Sequence, residues 1–109
     1  MYANVYLRMA TESFVAGQLP FLIMDLPDIN RRGAVPPHRQ IAAWLRTRIE
    51  AGEFRPGEDP LPSEKDLVDL FGVARDTARR AVQVLRDEGL VETIPHRGTY
   101  VLPKDGRGR

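Results

Sequence analysis

Two short amphipathic segments separated by only three residues constrain the fold of this chain more than any other feature. The separator is Gly72-Val73-Ala74, and glycine ends a helix readily because it adopts positive φ without a steric penalty. Apolar residues recur at helical spacing on both sides of it, namely Leu67, Leu70 and Phe71 before it and Ala78, Ala81, Val82 and Leu85 after it. Two helices joined by a short turn that contains glycine form a helix-turn-helix, which we predict over residues 64–83.

Another helix is predicted before this pair, over residues 37–51. It begins after two prolines and is followed by Gly52, and both are typical helix boundaries. Apolar residues four apart give it one buried face, formed by Ile41, Leu45 and Ile49. The next helix has its own start signal in Ser63-Glu64-Lys65-Asp66, which predicts a serine N-cap and a capping box with aspartate in place of glutamate.

After Gly89 the pattern changes from helical spacing to short runs rich in β-branched residues. Residues 90–94 and 99–102 are predicted strands, and Pro95-His96-Arg97-Gly98 is the predicted four-residue tip between them. Three helices followed by a β-hairpin predict a winged helix-turn-helix, mainly α with a small β wing, over residues 35–102. A major groove about 12 Å wide admits one helix, so this order suits duplex DNA.

The segments outside this domain lack a periodic pattern. Residues 1–34 are expected to form a poorly ordered N-terminal arm, and residues 103–109 a disordered basic tail. Met24 would also serve as a start, so residues 1–23 are either an upstream extension or a short element used for self-association. We expect residues before Met24 to be dispensable for folding and for binding a DNA half-site.

Composition argues against several classes of protein. The chain has no cysteine and two histidines, which disfavours disulfides, thiolate chemistry and a histidine-built metal site. It has no run of about 18 apolar residues, so we expect no membrane span. It also lacks the motifs of serine hydrolases, P-loop proteins and zinc proteases, so we expect neither an enzyme nor a bound cofactor.

Positive charge is concentrated on the third predicted helix. The whole chain has a formal net charge of +1, whereas residues 74–86 carry four arginines and one aspartate. Arginine can donate to guanine O6 and N7, and glutamine can pair with adenine, so the outer face fits base recognition. A solvated face with an Asp76–Arg80 ion pair is the alternative interpretation. The residues of this outer face are Arg75, Asp76, Arg79, Arg80 and Gln83.

Five segments of the chain form a recognisable series, namely GEFRPG (52–57), LPSEKDL (61–67), FGVARDTARRA (71–81), LRDEGLV (85–91) and RGTYV (97–101). In this order they resemble the DNA-binding domain of GntR-type bacterial transcription regulators. The resemblance covers residues 35–102 and implies a winged helix, double-stranded DNA as the partner and a location in the bacterial cytoplasm. It further implies a transcription regulator, which we expect to be a repressor that occludes a promoter.

The resemblance also implies roles for individual residues. Lys65, the basic residue of the Leu-Pro-Ser-Glu-basic motif, corresponds to a residue that touches DNA phosphate, and Thr77 to one that contacts the backbone. Arg75 and Arg79 correspond to arginines that read guanines in the major groove. In the family the wing tip enters the minor groove, which points to His96, Arg97 and Gly98.

Three residues depart from the family pattern. Ala74 stands where serine or threonine is usual, so the recognition helix lacks an N-cap hydroxyl worth about 1 kcal/mol. Asp76 replaces a more neutral residue and is expected either to pair with Arg80 or to accept a hydrogen bond from cytosine N4. His96 stands where the wing usually has glycine, which makes the tip bulkier.

Members of this family usually carry a C-terminal domain that binds a small metabolite and dimerises. This sequence ends seven residues after the predicted wing, so no small-molecule effector site is identifiable in it. One such module buries only about 600–1,000 Å² on DNA, so we expect a homodimer or a partner protein to be needed. The alternative function is a winged-helix interaction module that binds another protein through the same surface.

Overall fold

The computed structural model describes residues 26–104, which form three helices followed by an antiparallel hairpin. The helices are α1 (Pro37–Glu50), α2 (Glu64–Phe71) and α3 (Arg75–Asp87), and the strands are β1 (Val91–Ile94) and β2 (Gly98–Val101). This is the winged-helix order, so the predicted fold class is confirmed. Within residues 26–104, no helix combines the length and the apolar character needed to cross a membrane.

The helices end where local signals predicted. α1 is followed by Gly52 with a φ of 80°. α2 ends at Gly72, whose φ of 65° and ψ of 36° are left-handed, and the N–H of Gly72 donates to the carbonyl of Val68. Glycine adopts that backbone without the steric penalty that other residues incur, so Gly72 both ends α2 and redirects the chain into α3.

α1 and α2 both pack against α3 around one core. Ala78 and Ala81 of α3 are fully buried, and their small side chains let the neighbouring helices approach closely. Trp44 of α1 meets Phe71 of α2 edge-on, with ring centroids 5.3 Å apart. The residues that the apolar pattern predicts to close the core are all buried, namely Leu45, Ile49, Leu67, Phe71, Val82, Leu85, Val91 and Val101.

Connecting segments supply further core residues that periodicity does not reveal. Leu61 is buried because residues 57–61 run beside β2. The N–H of Leu61 donates to the carbonyl of Thr99 at 2.8 Å, and the N–H of Gly57 to that of Val101 at 3.1 Å. The segment that leads into α2 is thereby tied to the wing. Loop residues buried in the core are Phe54, Leu61 and Val73.

The wing has a shorter tip than the four residues expected. β1 and β2 pair as far as Ile94 with Gly98, so Gly98 belongs to β2 and only residues 95–97 form the tip. The N–H of Arg97 donates to the carbonyl of Ile94 at 3.0 Å and closes a turn in which His96 has a φ of 64°. A histidine at positive φ is strained relative to glycine at the same place.

The chain just before α1 is part of the packed domain. Leu26 and Ile29 lie against the core, although residues 26–34 were expected to belong to a poorly ordered arm. Leu26 and Ile29 have no periodic pattern, so their burial depends on contacts that the local sequence does not reveal. The rest of the predicted arm, residues 1–25, and the tail after Lys104 lie outside the described residues.

Hydrogen bonds hold this segment, residues 26–34, which we call the N-terminal hook. The N–H of Asn30 donates to Oε1 of Gln40 at 3.0 Å, and Nε2 of Gln40 donates to the carbonyl of Asn30 at 2.7 Å. Arg31 reaches the helix-turn-helix, where its Nη2 lies 2.7 Å from the carbonyl oxygen of Gly72. The hook therefore connects α1 to the end of α2.

Candidate nucleic-acid interface

The start of α2 is built by the predicted capping box. Oγ of Ser63 accepts from the N–H of Asp66 at 3.0 Å, and the carboxylate of Asp66 accepts from the N–H of Ser63 at 2.9 Å. These bonds satisfy backbone donors that a helix start otherwise leaves without partners. The first turn is thereby fixed, and it carries Glu64 and the exposed Lys65. Lys65 lies at a helix N-terminus, where an anion is favoured.

α3 turns one face to the core and the other to solvent. The side chains of Arg75, Arg79 and Arg80 are 77%, 52% and 60% exposed, so each can swing toward a ligand. Thr77 is half-buried in the first turn. Ala74 has the extended backbone of an N-cap but makes no side-chain cap, as its sequence predicts. The start of α3 therefore combines exposed arginines with the backbone donors of an uncapped helix end.

Asp76 forms ion pairs with two of the outward arginines. Its Oδ1 lies 2.6 Å from Nη2 and 3.2 Å from Nε of Arg79, and its Oδ2 lies 2.9 Å from Nε of Arg80. The predicted pairing with Arg80 is confirmed, and the pairing with Arg79 is an additional one. The hydrogen bond from Arg79 is the main reason that the pKa of Asp76 lies below its ordinary value. The same bond raises the pKa of Arg79.

Arg75 faces the first turn of α2. Its Nε lies 3.6 Å from Oε1 of Glu64. Because Arg75 is 77% exposed, solvent screens this pair and its net contribution to stability is small. Arg75 therefore lies beside Glu64 and remains in solvent. A local sequence pattern does not predict this contact, since the two residues lie on different helices.

Gln83 takes part in a side-chain network that joins α3 to the wing. Its Nε2 donates to Oδ1 of Asp87 at 2.8 Å, and its Oε1 accepts from Nη2 of Arg86 at 2.8 Å. Nη1 of Arg86 donates to Oγ1 of Thr93 on β1, and Oγ1 of Thr93 lies 2.9 Å from Oγ1 of Thr99. The amide of Gln83, predicted from the sequence to read adenine, is thus already hydrogen-bonded within the domain.

The start of α2, α3 and the wing together line an open cleft of about 790 Å³. Its basic side chains come from all three elements. Among the described residues, the outward residues Asp76, Thr77, Arg79, Arg80 and Gln83 lie beyond this lining. The predicted site residues that line the cleft are Lys65, Arg75, His96, Arg97 and Gly98.

The wing tip presents two exposed basic residues beside this cleft, His96 and Arg97. Its base is tied to the segment before α2, because the N–H of Leu61 donates to the carbonyl of Thr99 and Pro60 forms a β-bridge with Tyr100. A Cβ added at Gly98 would make only an ordinary contact with Pro60, at 3.5 Å, but the φ of 142° at Gly98 is one that other residues rarely adopt. The tip is therefore held in position relative to α2 by backbone geometry as well as by strand pairing.

Two residues of this surface make side-chain contacts that the sequence did not predict. Glu64 contacts Arg75, and Arg86 joins Gln83 to the wing. The spacing of three residues between Gln83 and Arg86 would have allowed their contact to be predicted on a helix. The contact of Arg86 with Thr93 depends on where the hairpin packs against α3, so no local sequence pattern predicts it.

Known proteins resemble this chain over the same region. The model of the family described as "Bacterial regulatory proteins, gntR family" matches residues 37–101. The transcriptional repressor NagR of Bacillus subtilis is 40% identical over 74 residues, which is 68% of this chain and 30% of the repressor. The repressor MngR of Escherichia coli is 45% identical over 69 residues, or 63% of this chain and 28% of that protein. The chain thus spans under a third of the length of these curated relatives.

Solved structures agree with the sequence matches. YtrA from Sulfolobus acidocaldarius, a GntR-family transcription factor, has a TM-score of 0.61 at 33% identity and covers 70% of this chain and 79% of its own. The DNA-binding domain of AraR in complex with operator ORX1 has a TM-score of 0.59 at 27% identity, covering 71% of this chain and 90% of its own. The matched region contains all three helices and the wing. The chain therefore belongs to the GntR family of bacterial regulatory proteins.

Proposed function

We propose that this domain binds double-stranded DNA sequence-specifically and that the protein is a transcription regulator, acting as a repressor, rather than an enzyme. The observation that carries the proposal is the meeting of three elements around one cleft: the start of α2, α3 and the wing. Two findings support it. NagR and MngR are named repressors, and the AraR domain is described with operator DNA.

Phosphate contacts would position the domain on the duplex. Lys65 is exposed at the capped start of α2, and Thr77 lies in the first turn of α3. The helix N-termini add backbone donors and a favourable dipole for an anion. These contacts carry no direct sequence information, so they set orientation and general affinity.

Base recognition would come from α3 placed in the major groove. Arg75 and Arg79 are one helical turn apart on the exposed face, and each guanidinium can engage guanine O6 and N7 together. The wing tip, with His96 and Arg97, would lie along the adjacent minor groove. Asp76 and Arg80 complete the face that meets the duplex, and Gln83 lies at its far end.

The protein would act in the bacterial cytoplasm as a homodimer on two half-sites. A single module of this kind buries only about 600–1,000 Å² of protein surface on DNA. Two copies on a palindromic site would double the contact area and would fix the spacing of the half-sites at about one helical turn or a multiple of it.

The experiment that tests this function is selection of bound sequences from a random duplex pool with the full 109-residue chain. We expect one enriched half-site and its inverted repeat. Titration of the selected duplex at two salt concentrations should then give a slope of log affinity on log salt of about −0.9 per phosphate contact. Absence of enrichment and of duplex affinity would refute DNA binding and favour a protein-binding module.

A further inference from the structure

Asp76 is an acidic residue in the middle of a surface that we propose to lie against DNA. Its Oδ1 accepts hydrogen bonds from Nη2 of Arg79 at 2.6 Å and from Nε of Arg79 at 3.2 Å, and its Oδ2 forms an ion pair with Arg80, whose Nε lies 2.9 Å away. All three side chains are more than half exposed, so burial does not force the contact. A carboxylate here repels phosphate, so it can favour a specific complex either by accepting a hydrogen bond from cytosine N4 or through its effect on the arginines. Both of its oxygens already face guanidinium groups, which favours the effect on the arginines.

The two bonds to Arg79 occupy one particular edge of its guanidinium. An arginine carries five N–H donors, one on Nε and two on each Nη. Asp76 takes the Nε–H and one Nη2–H, which form the side edge of the fork. The end edge, formed by an Nη1–H and the second Nη2–H, has the geometry that matches guanine O6 and N7. Asp76 therefore binds Arg79 without occupying the edge that base recognition needs.

Arg80 holds the carboxylate from the other side. Residues three and four positions apart on a helix are neighbours, so Arg79 and Arg80 both reach Asp76. Each carboxylate oxygen then has its own guanidinium partner. The bond from Arg79 also keeps the pKa of Asp76 below its ordinary value, so the carboxylate stays charged at neutral pH.

We propose that Asp76 is a positioning residue that sets the base preference of α3. It holds Arg79 with its guanine-binding edge outward, and it restrains both arginines from pairing with phosphates of any sequence. The inference rests on the proposed function, because it requires Arg79 to read a base. It implies two effects of opposite sign. Removing the carboxylate strengthens binding to duplexes that lack the recognised base, because a charge that repels phosphate is lost. It weakens binding to the duplex with the correct base, because Arg79 is no longer preorganised, and the preference for that base falls.

The test uses the full chain and Asp76→Asn, which keeps the shape of the side chain and removes its charge. Fluorescence anisotropy gives dissociation constants for the selected duplex, for duplexes altered at each base pair, and for a random duplex. We expect binding to the random duplex to strengthen about threefold. We expect the preference at one base pair to fall about tenfold. Glu50→Gln removes the same charge from the exposed end of α1. It should change neither the affinity for the random duplex nor the preference at any base pair.

A double-mutant cycle separates positioning of Arg79 from a general effect of the charge. In an Arg79→Ala background, Asp76→Asn should no longer alter base preference, because the side chain that it positions is absent. Equal changes in affinity for all duplexes would overturn the inference, as would a preference that falls equally with and without Arg79.

The same measurements distinguish failure of this inference from failure of the proposed function. If Arg79→Ala leaves the base preference of the domain intact, Arg79 does not read a base and the proposed role of Arg79 fails. If Arg79→Ala relaxes the preference at one base pair and Asp76→Asn does not, the base-reading role stands and the positioning role of Asp76 is overturned.

Discussion

The uncapped start of α3 should be stabilised by a single added hydroxyl. Ala74 has a φ of −68° and a ψ of 154°, and its methyl group cannot accept a hydrogen bond. Ser63, at the start of α2, has nearly the same backbone, with a φ of −71° and a ψ of 170°, and it caps the N–H of Asp66. A serine introduced by Ala74→Ser should therefore accept from the N–H of Asp76 or Thr77 without rearrangement.

The expected gain in the free energy of unfolding is about 1 kcal/mol. Serine and alanine at an N-cap differ by about 0.5–2 kcal/mol. Ala74 is exposed, so no change in packing accompanies the added oxygen. Thr77 has no carboxylate to return a bond to the cap, which keeps the gain in the lower half of that range. For a domain of 60–100 residues, about 1 kcal/mol raises Tm by about 4–8 °C.

Thermal and urea unfolding, followed by circular dichroism, measures this gain. Ala74→Val is the matched control, because it adds side-chain atoms without an acceptor and should not stabilise. Ser63→Ala should lower stability by about 1 kcal/mol, and combining it with Ala74→Ser should return the midpoint near its original value. A valine variant as stable as the serine variant, or an unchanged midpoint with serine, would refute the capping argument.

Four further results are expected. Arg79→Ala should weaken binding to the selected duplex by about 1–3 kcal/mol and relax the preference at one base pair. Lys65→Ala should weaken binding to all duplexes alike and reduce the slope of log affinity on log salt by about one. Salt titrations on selected and random duplexes test both results. His96→Gly should raise the free energy of unfolding by about 1 kcal/mol by relieving the positive φ, and an unchanged urea midpoint would contradict this. A chain beginning at Met24 should melt like the full chain. A chain beginning at Val35 should lose about 1–2 kcal/mol of its free energy of unfolding, because it lacks the apolar contacts of the hook. Equal melting temperatures of the two chains would contradict that packing.

The parts of the fold that the sequence predicts are those fixed by neighbouring residues. The capping box needs only Ser63 and Asp66, three residues apart, and the turn between α2 and α3 needs only the left-handed backbone of Gly72. The buried face of α3 follows from its helical spacing. In each case the residues that interact are close together in the sequence, so a local sequence pattern is enough to predict the structure.

The parts that the sequence did not predict depend on contacts between distant segments. The hook is held by Arg31 at Gly72, 41 residues away, and Leu26 has no periodic pattern to announce its burial. Gln83 lies on the outward face, as expected, yet Arg86 draws its amide toward the wing. The wing turn is closed by a backbone hydrogen bond, and within it His96 has a positive φ. Glycine and asparagine adopt that conformation more readily than histidine, so the sequence does not predict it here.

The ion pairs around Asp76 share no residue with the interactions that hold the start of α2 and the wing, and this determines which DNA-binding properties should vary independently. The capping box fixes the start of α2. The buried alanines and Leu85 seat α3 against the core. The wing is held by the backbone bond from Leu61 and by Arg86 at Thr93. Because the cluster around Asp76 lies on α3 alone, changes there should alter base preference while the proposed phosphate contacts of α2 and the wing keep their geometry.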